Sequence, residues 1–167
     1  MLAELQALQP RFPRRNLSLE EAAAVATWRD SQTVLSLAHP EQTVLGSPED
    51  AACVVYCDHA MALQPTALMR SVWVVAVNHL GDVPALLKDA RQVLQTAGLA
   101  ASPEELMPLA QALGDAGVTR ICAIGAMTSP EAGWHHDGRF SLLDLVRMVD
   151  IEASTELSAE SFAPYAD

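Results

Sequence analysis

The chain of 167 residues is half hydrophobic and strongly acidic, with 21 aspartates and glutamates against 10 lysines and arginines and a formal net charge of -11 at pH 7. This length and hydrophobic content predict one domain with one core. The shortage of cationic side chains argues against binding to nucleic acid or to an anionic lipid surface. The three cysteines are odd in number and lie in apolar runs, which disfavours a disulfide framework. No apolar run approaches the roughly 20 residues that cross a bilayer, so we expect a reduced, cytoplasmic protein without a membrane span.

The first predicted elements are a helix and two strands. Residues 17–38 are rich in alanine and contain Ser18 three positions before Glu21, a capping-box spacing that favours a helix. Residues 51–58 and 68–78 are instead rich in β-branched and aromatic residues and are flanked by Pro, Asp, Asn and Gly, which is typical of strands. The second strand is almost wholly apolar, so we expect it to be buried on both faces.

Two further helices are predicted in the middle of the chain. Over residues 82–95 the apolar side chains recur at helical spacing, and Asp82 is a candidate N-cap. The stretch 102–105, Ser-Pro-Glu-Glu, is a good helix start with proline at the first helical position. The helix that begins there should end near Gly114 or Gly117.

The last third of the chain supplies a strand, a loop and a helix. Residues 118–126 are predicted as a buried strand, 127–139 as an irregular loop and 141–150 as a helix. The alternation of strands and helices predicts right-handed crossovers and a mainly parallel sheet covered by helices, which is an α/β fold. We expect a single α/β domain over residues 1–152 and a flexible acidic tail over residues 153–167. Because ligands of such sheets bind at the carboxyl ends of the strands, the loop lies where a site is expected.

The run His135-His136-Asp137 before Gly138 is the most unusual feature of this loop. A metal site is disfavoured, because adjacent residues of an extended segment point to opposite faces and no His-x-x-x-His or Cys-x-x-Cys spacing supplies further ligands. A turn is favoured, with Asp137 bonding to local backbone and Gly138 at positive φ. Of the two imidazoles, we expect that of His136 to face the crevice, because it abuts the turn.

No complete set of catalytic residues can be assembled from the chain. Cys53, Cys57 and Cys122 lie in predicted strands, where a buried cysteine is usually inert because burial suppresses the thiolate. Cys57 is the least inert, since Asp58 and His59 follow it at the strand end, but an incidental role is favoured. The nucleophile elbow G-x-S-x-G, the dinucleotide motif G-x-G-x-x-G and the phosphate-binding P-loop pattern are absent from the sequence.

Two arginines lie beside the candidate crevice. Arg120 or Arg139 could hold a phosphate or carboxylate group through two guanidinium N–H groups. An ion pair with one of the many carboxylates is the alternative, and the sequence leaves both open.

Most of the chain carries a resemblance to one family. The run 116–152, AGVTRICAIGAMTSPEAGWHHDGRFSLLDLVRMVDIE, resembles the C-terminal end of the LuxC-like fatty acyl-CoA reductases, a branch of the aldehyde dehydrogenase superfamily. Residues 70–100 resemble the strand, helix and strand that precede this end, and the whole resemblance covers roughly residues 2–152. Its most specific element is the block Trp134-His135-His136-Asp137-Gly138 with the following LLDLVRMVDIE.

The resemblance implies an enzyme that reduces acyl-CoA to a fatty aldehyde, in which a cysteine thiolate attacks the thioester and NADPH supplies hydride. In such enzymes the nucleotide-binding domain and the nucleophilic cysteine precede the region that matches this chain. The resemblance therefore implies a C-terminal fragment that is inactive alone, is not expected to bind NADPH, and has acyl-CoA or a missing N-terminal half as its partner. No residue is assigned the catalytic role, and the residues expected at the substrate are Trp134, His135, His136, Asp137, Gly138 and Arg120. The alternative is a non-catalytic assembly module that forms a homodimer.

Overall fold

The computed structural model describes residues 1–140 and 142–164. Helices in this part of the chain are α1 (Leu2–Leu8), α2 (Leu19–Ala38), α3 (Val83–Leu86), α4 (Pro103–Ala116) and α5 (Ala153–Glu160). The strands are β1 (Gln42–Leu45), β2 (Cys53–Cys57), β3 (Ser71–Val75), β4 (Thr96–Leu99) and β5 (Arg120–Ala123). The predicted mixture of helices and strands is therefore confirmed. None of the described helices is long and apolar enough to cross a membrane.

The described strands form two small sheets instead of one mainly parallel sheet. In the first sheet, β2 lies between β1, to which it is antiparallel, and β3, to which it is parallel. The second sheet pairs β4 with β5 in parallel. β1 is antiparallel to β2 because the connection between them is short, whereas parallel neighbours need a longer crossover. Gly46 makes the reversal possible, since its φ is +106° and a Cβ there would lie 2.8 Å from the carbonyl oxygen of Ala52.

The central strand of the first sheet is the most buried element. Cys53, Val54 and Val55 are at most 1% exposed, and Cys57 is 3% exposed. β3 was predicted to be buried on both faces, but beyond Ser71 it is only half-buried. The reason is its position at the edge of the sheet, where nothing pairs with its outer side among the described strands.

A second core lies between α4 and the other sheet. Leu109, Leu113 and Val118 are at most 8% exposed, and partly buried apolar residues of α3, β4 and β5 pack around them. Through this core, α4 packs against β4 and β5, the two parallel strands that it connects. The packing fixes the positions of the loops at the ends of these strands.

The ends of the two long helices agree with the sequence signals. At the start of α2 the hydroxyl oxygen of Ser18 accepts a hydrogen bond from the backbone N–H of Glu21, and the Glu21 carboxylate accepts one from the backbone N–H of Ser18. Ser102 and Glu105 make the same reciprocal pair at the start of α4. α4 ends at the later of the two predicted positions, with Gly117 in the left-handed conformation at φ 119°.

The helix predicted over 82–95 is wrong in length. Only the four residues of α3 are α-helical, with a 3₁₀ turn on either side, and the Asp82 side chain makes no capping hydrogen bond. The N–H groups of Leu87 and Arg91 bond to carbonyl groups three residues earlier, as in 3₁₀ turns. Arg91 packs closely on Gly117, at which a Cβ would lie 2.8 Å from the Arg91 carbonyl oxygen. This tertiary contact overrides the helical periodicity of the segment.

The helix predicted over 141–150 is also wrong. Its first residue, Ser141, lies outside the described residues, and only the 3₁₀ turn Leu143–Leu145 follows. The large apolar side chains here are exposed, so no packing surface supports the short helix that their spacing favours. In the acidic tail, α5 has no buried residue. The flexibility of residues 153–167 and the domain boundary before them stay predictions, and residues 165–167 lie outside the described part.

Candidate functional site

The loop that follows β5 turns back across the second sheet. Arg120, at the start of β5, donates hydrogen bonds of 2.8 Å to the carbonyl oxygens of Ala126 and Met127. In β4, a Cβ on Gly98 would lie 3.1 Å from Sδ of Met127, so the missing side chain leaves room for the loop. The loop therefore leaves the carboxyl end of β5 and returns along the sheet.

The His-His-Asp end of the loop lies at the amino ends of β4 and β5. Nε2 of Gln95, just before β4, donates a 2.7 Å hydrogen bond to Oδ1 of Asp137. A Cβ on Gly138 would lie 3.4 Å from Cγ2 of Thr119, just before β5. The expected position at the carboxyl ends is therefore wrong for these residues. β5 has only 4 residues, roughly 13 Å of strand, and the loop is long enough to run back past it.

The turn itself has the predicted backbone but different side-chain partners. Gly138 has φ 73°, which confirms the prediction, and Asp137 also has a positive φ of 52°. The N–H of Gly138 donates to the carbonyl oxygen of His135 over 3.2 Å. The Asp137 side chain was expected to bond to local backbone; it instead accepts from Gln95 and lies 3.0 Å from Nδ1 of His136. The turn is thus held by the long-range hydrogen bond from Gln95 as well as by contacts between neighbouring residues.

The two histidines have different neighbours. The His136 ring packs against Trp134 with 4.9 Å between centroids, whereas the His135 ring meets Phe140 edge-on at 4.7 Å. Cζ of Arg120 lies 5.6 Å from the Trp134 ring centroid in a cation–π contact. Arg120 therefore holds the loop through backbone carbonyls and an indole ring, and its predicted role at a bound anion stays a prediction. The indole N–H of Trp134 is buried and meets no acceptor within the described residues.

A cavity of about 860 Å³ opens beside the turn. His136 and Asp137 line this cavity, whereas Trp134, His135 and Arg120 do not. His136 is thus the histidine that lines this cavity, which lies at the opposite end of the strands from the crevice that it was expected to face. The cavity is also lined by the basic residues Arg91 and Arg139, the polar residues Gln95 and Thr119, and the apolar residues Leu94 and Phe140.

Comparison with known families shows to which family the chain belongs. A sequence model of the family described as acyl-CoA reductase (LuxC) matches residues 1–148. The chain belongs to the LuxC acyl-CoA reductase family. No curated protein matches it at a significant level. The relationship predicted from the Trp134–Gly138 block and the segments before it is therefore confirmed.

In this LuxC-family chain, the start of α4 does not fit the pyrophosphate of NADPH. In dinucleotide-binding folds the pyrophosphate lies at the N-terminus of a helix that follows a strand. α4 follows β4, but the hydroxyl of Ser102 already accepts from its first turn, which also carries Glu104 and Glu105. Hydrogen bonds from the side chain and backbone of Ser102 hold the pKa of the Glu105 carboxyl below its ordinary value. The negative charge at this helix start opposes the binding of a pyrophosphate.

A second group of reactive side chains, here called the thiol cluster, lies at the carboxyl end of β2. Sγ of Cys57 is 3.4 Å from Nδ1 and 3.9 Å from Nε2 of His59, and that Nδ1 is 3.4 Å from Oδ1 of Asp58. Antiparallel pairing brings in residues before β1: the N–H of Asp58 donates to the carbonyl oxygen of Glu41, whose carboxylate lies 3.0 Å from Nδ1 of His39. The sequence analysis singled out Cys57, Asp58 and His59. It missed His39 and Glu41, because only the register of β1 on β2 brings them close to Cys57.

The thiol cluster borders its own cavity of about 410 Å³. Its apolar wall contains Trp28 and Trp73, whose rings meet edge-on with 6.1 Å between centroids, together with Leu35, Met61 and Pro65. The two cavities share no lining residue. Throughout residues 1–140 and 142–164, no group of three or more His, Cys, Asp or Glu side chains is placed to hold a metal ion.

Proposed function

We propose that this LuxC-family chain is the C-terminal, substrate-enclosing part of an NADPH-dependent acyl-CoA reductase of the aldehyde dehydrogenase superfamily, and that it has no reductase activity alone. The observation that carries the proposal is the family match over residues 1–148. The product of the complete enzyme is a fatty aldehyde, and the nucleophilic cysteine and the cofactor site belong to another segment of that enzyme.

The loop supports a role in enclosing the acyl-CoA. The indole N–H of Trp134 is buried with no acceptor among the described residues, and a buried donor without a partner costs about 1–3 kcal/mol. The Trp134 ring packs on His136, which lines the larger cavity. A thioester carbonyl oxygen in that cavity would accept a hydrogen bond from the His136 imidazole. We assign His136 to direct contact with the substrate, Trp134 to the packing behind that imidazole, and His135 and Gly138 to the shape of the turn.

The other two predicted site residues act through these groups. The 3.0 Å contact between Asp137 and Nδ1 of His136 orients the imidazole and leaves Nε2 for the substrate. Arg120 fixes the indole of Trp134 by the cation–π contact and the two carbonyl hydrogen bonds. Both are positioning residues.

Lack of independent activity follows from the chemistry of thioester reduction. The reaction needs an activated cysteine beside donors that stabilise the oxyanion. No cysteine lines the larger cavity, and Cys57 borders the smaller one. The capped start of α4 does not fit NADPH. The loop can therefore enclose an acyl-CoA without a group that reacts with it.

The proposal is tested by separating reaction from binding. The purified chain, mixed with NADPH and a long-chain acyl-CoA, should oxidise no NADPH in a spectrophotometric assay. A thioether analogue of acyl-CoA, which cannot react, should change the tryptophan fluorescence of the chain. Trp134→Phe should remove this change, while the matched variant Trp28→Phe should keep it. Turnover that Cys57→Ser abolishes would overturn the lack of activity, and no binding by the unmodified chain would refute the substrate role of the loop.

Self-association as a non-catalytic homodimer is a second candidate function. The observation that favours it is a run of apolar side chains between residues 142 and 151, each at least 52% exposed: Leu142, Leu143, Leu145, Val146, Met148, Val149 and Ile151. Exposed apolar side chains concentrated in one short segment are typical of an interaction surface. Sedimentation equilibrium at micromolar concentration should show a dimer that Val149→Asp dissociates and Leu37→Asp, an equally exposed site on α2, does not. A monomeric unmodified chain contradicts this candidate.

A further inference from the structure

Cys57 differs from the other two cysteines in its surroundings. The thiol of Cys57 contacts both ring nitrogens of His59 and borders the smaller cavity. Cys53 and Cys57 are both buried, at 1% and 3% exposed, but Cys53 does not line that cavity. Cys122 directs its thiol to the carbonyl oxygen of Ala97 at 3.8 Å. An imidazole next to a thiol is the arrangement that favours the thiolate, which is the reactive form of cysteine.

A single carboxylate, that of Glu41, is among the described residues that line the smaller cavity. The titratable groups that face Cys57 are His59 and Asp58 on its own segment, and Glu41 and His39 before β1. A hydrogen bond from its own backbone N–H, and then one from His39, hold the pKa of the Glu41 carboxyl below its ordinary value, so Glu41 is charged at neutral pH. Apart from His59, the lining residues from α2, from β3 and from the segment between β2 and β3 carry no ionisable side chain, and no described lysine or arginine lines the cavity.

We propose that Cys57 is a site of thiol–disulfide exchange, at which a small neutral or cationic disulfide enters the smaller cavity and leaves half of itself bound to the sulfur. The S–H bond of Cys57 breaks as its proton passes to His59. The thiolate attacks one sulfur of the disulfide, the S–S bond of the reagent breaks, and a new S–S bond forms on Cys57. The departing thiolate takes the proton from the imidazolium and leaves as a thiol. Cys57 is oxidised and half of the reagent is reduced, so the electrons balance.

The walls of the cavity select the kind of disulfide. At about 410 Å³ the cavity accepts a compact molecule. Trp28, Trp73 and Met61 give it polarizable walls, and divalent sulfur packs favourably against such groups. Transfer of the proton from Cys57 to His59 leaves the pair neutral overall, so the Glu41 carboxylate sets the preference for a cationic over an anionic reagent.

The test uses the whole chain with two probes, cystamine, which is dicationic, and dithiobis(nitrobenzoate), which is dianionic. After brief exposure to cystamine at neutral pH, mass spectrometry of peptides should show the adduct on Cys57 first, formed roughly ten times faster than on the other cysteines. Cys57→Ser should remove the fast reaction and Cys122→Ser, the matched control, should keep it. A first adduct on Cys53 or Cys122 would overturn the proposal, and this measurement needs no variant that must fold.

Two variants test the neighbours of the sulfur. His59→Gln should slow the reaction of Cys57 roughly tenfold at neutral pH and make its rate rise more steeply with pH, as for an ordinary thiol. Glu41→Gln should remove the preference of Cys57 for cystamine over dithiobis(nitrobenzoate). If His59→Gln leaves both rate and pH profile unchanged, the imidazole does not act on the thiol and the proposal is refuted. A faster reaction with the dianionic probe in the unmodified chain refutes the selectivity.

Discussion

Replacement of Gly117 by alanine tests the packing that frames the larger cavity. Gly117 ends α4 at φ 119° and ψ 2°, and a Cβ there would lie 2.8 Å from both Cγ and the carbonyl oxygen of Arg91. A positive φ costs a non-glycine residue about 1–2 kcal/mol, and forced overpacking adds about 1–3 kcal/mol. We therefore expect Gly117→Ala to lower the free energy of unfolding by about 2–5 kcal/mol. The backbone oxygen cannot move away as the end of a flexible side chain would.

Gly114 in the same helix is the matched control. An added Cβ at Gly114 meets nothing within 4 Å, so Gly114→Ala should raise the free energy of unfolding by about 1 kcal/mol through helix propensity alone. Urea unfolding followed by circular dichroism measures both variants. Opposite signs are the expected result. If Gly117→Ala is neutral or stabilising, α4 does not end against Arg91 in solution, and the description of the cavity wall is wrong.

Three further predictions concern the loop and the start of α2. Gly138 has φ 73°, so Gly138→Val should lower the free energy of unfolding by about 1–3 kcal/mol. His135→Ala should lower it by less than about 1 kcal/mol, and urea unfolding measures both. In a complemented or full-length enzyme, His136→Ala should lower the rate of acyl-CoA reduction and leave the unfolding midpoint unchanged; an unchanged rate with a large loss of stability would make the histidine structural. A hydrogen bond from Arg15 lowers the pKa of the Glu21 carboxyl from 4.5 to about 2. The stability from this carboxylate is complete above the unfolded pKa and is lost as pH falls towards the folded one, so Glu21→Gln should flatten that part of the acid-unfolding curve.

Short-range signals made the helix starts predictable. The capping pairs Ser18 with Glu21 and Ser102 with Glu105 join residues three positions apart, so their spacing in the sequence contains the whole interaction. The left-handed end of α4 at Gly117 has a similarly local origin. The helix predicted over 82–95 failed because a distant residue, Gly117, packs against Arg91 there. The spacing of apolar residues within the segment gives no information about that contact.

The amino-acid sequence by itself determined the mixed α/β class, the starts of both long helices, the positive φ of Gly138 and the family, because each depends on residue types a few positions apart or on a contiguous block. Tertiary structure alone decided the division into two sheets and the position of Asp137 beside Gln95 at the amino ends of β4 and β5. It also decided the approach of Glu41 to the segment after Cys57, through the register that pairs Gln42 with Cys57. The physical reason is that strand pairing and loop return depend on contacts between residues far apart in the chain, whose closeness no local pattern encodes.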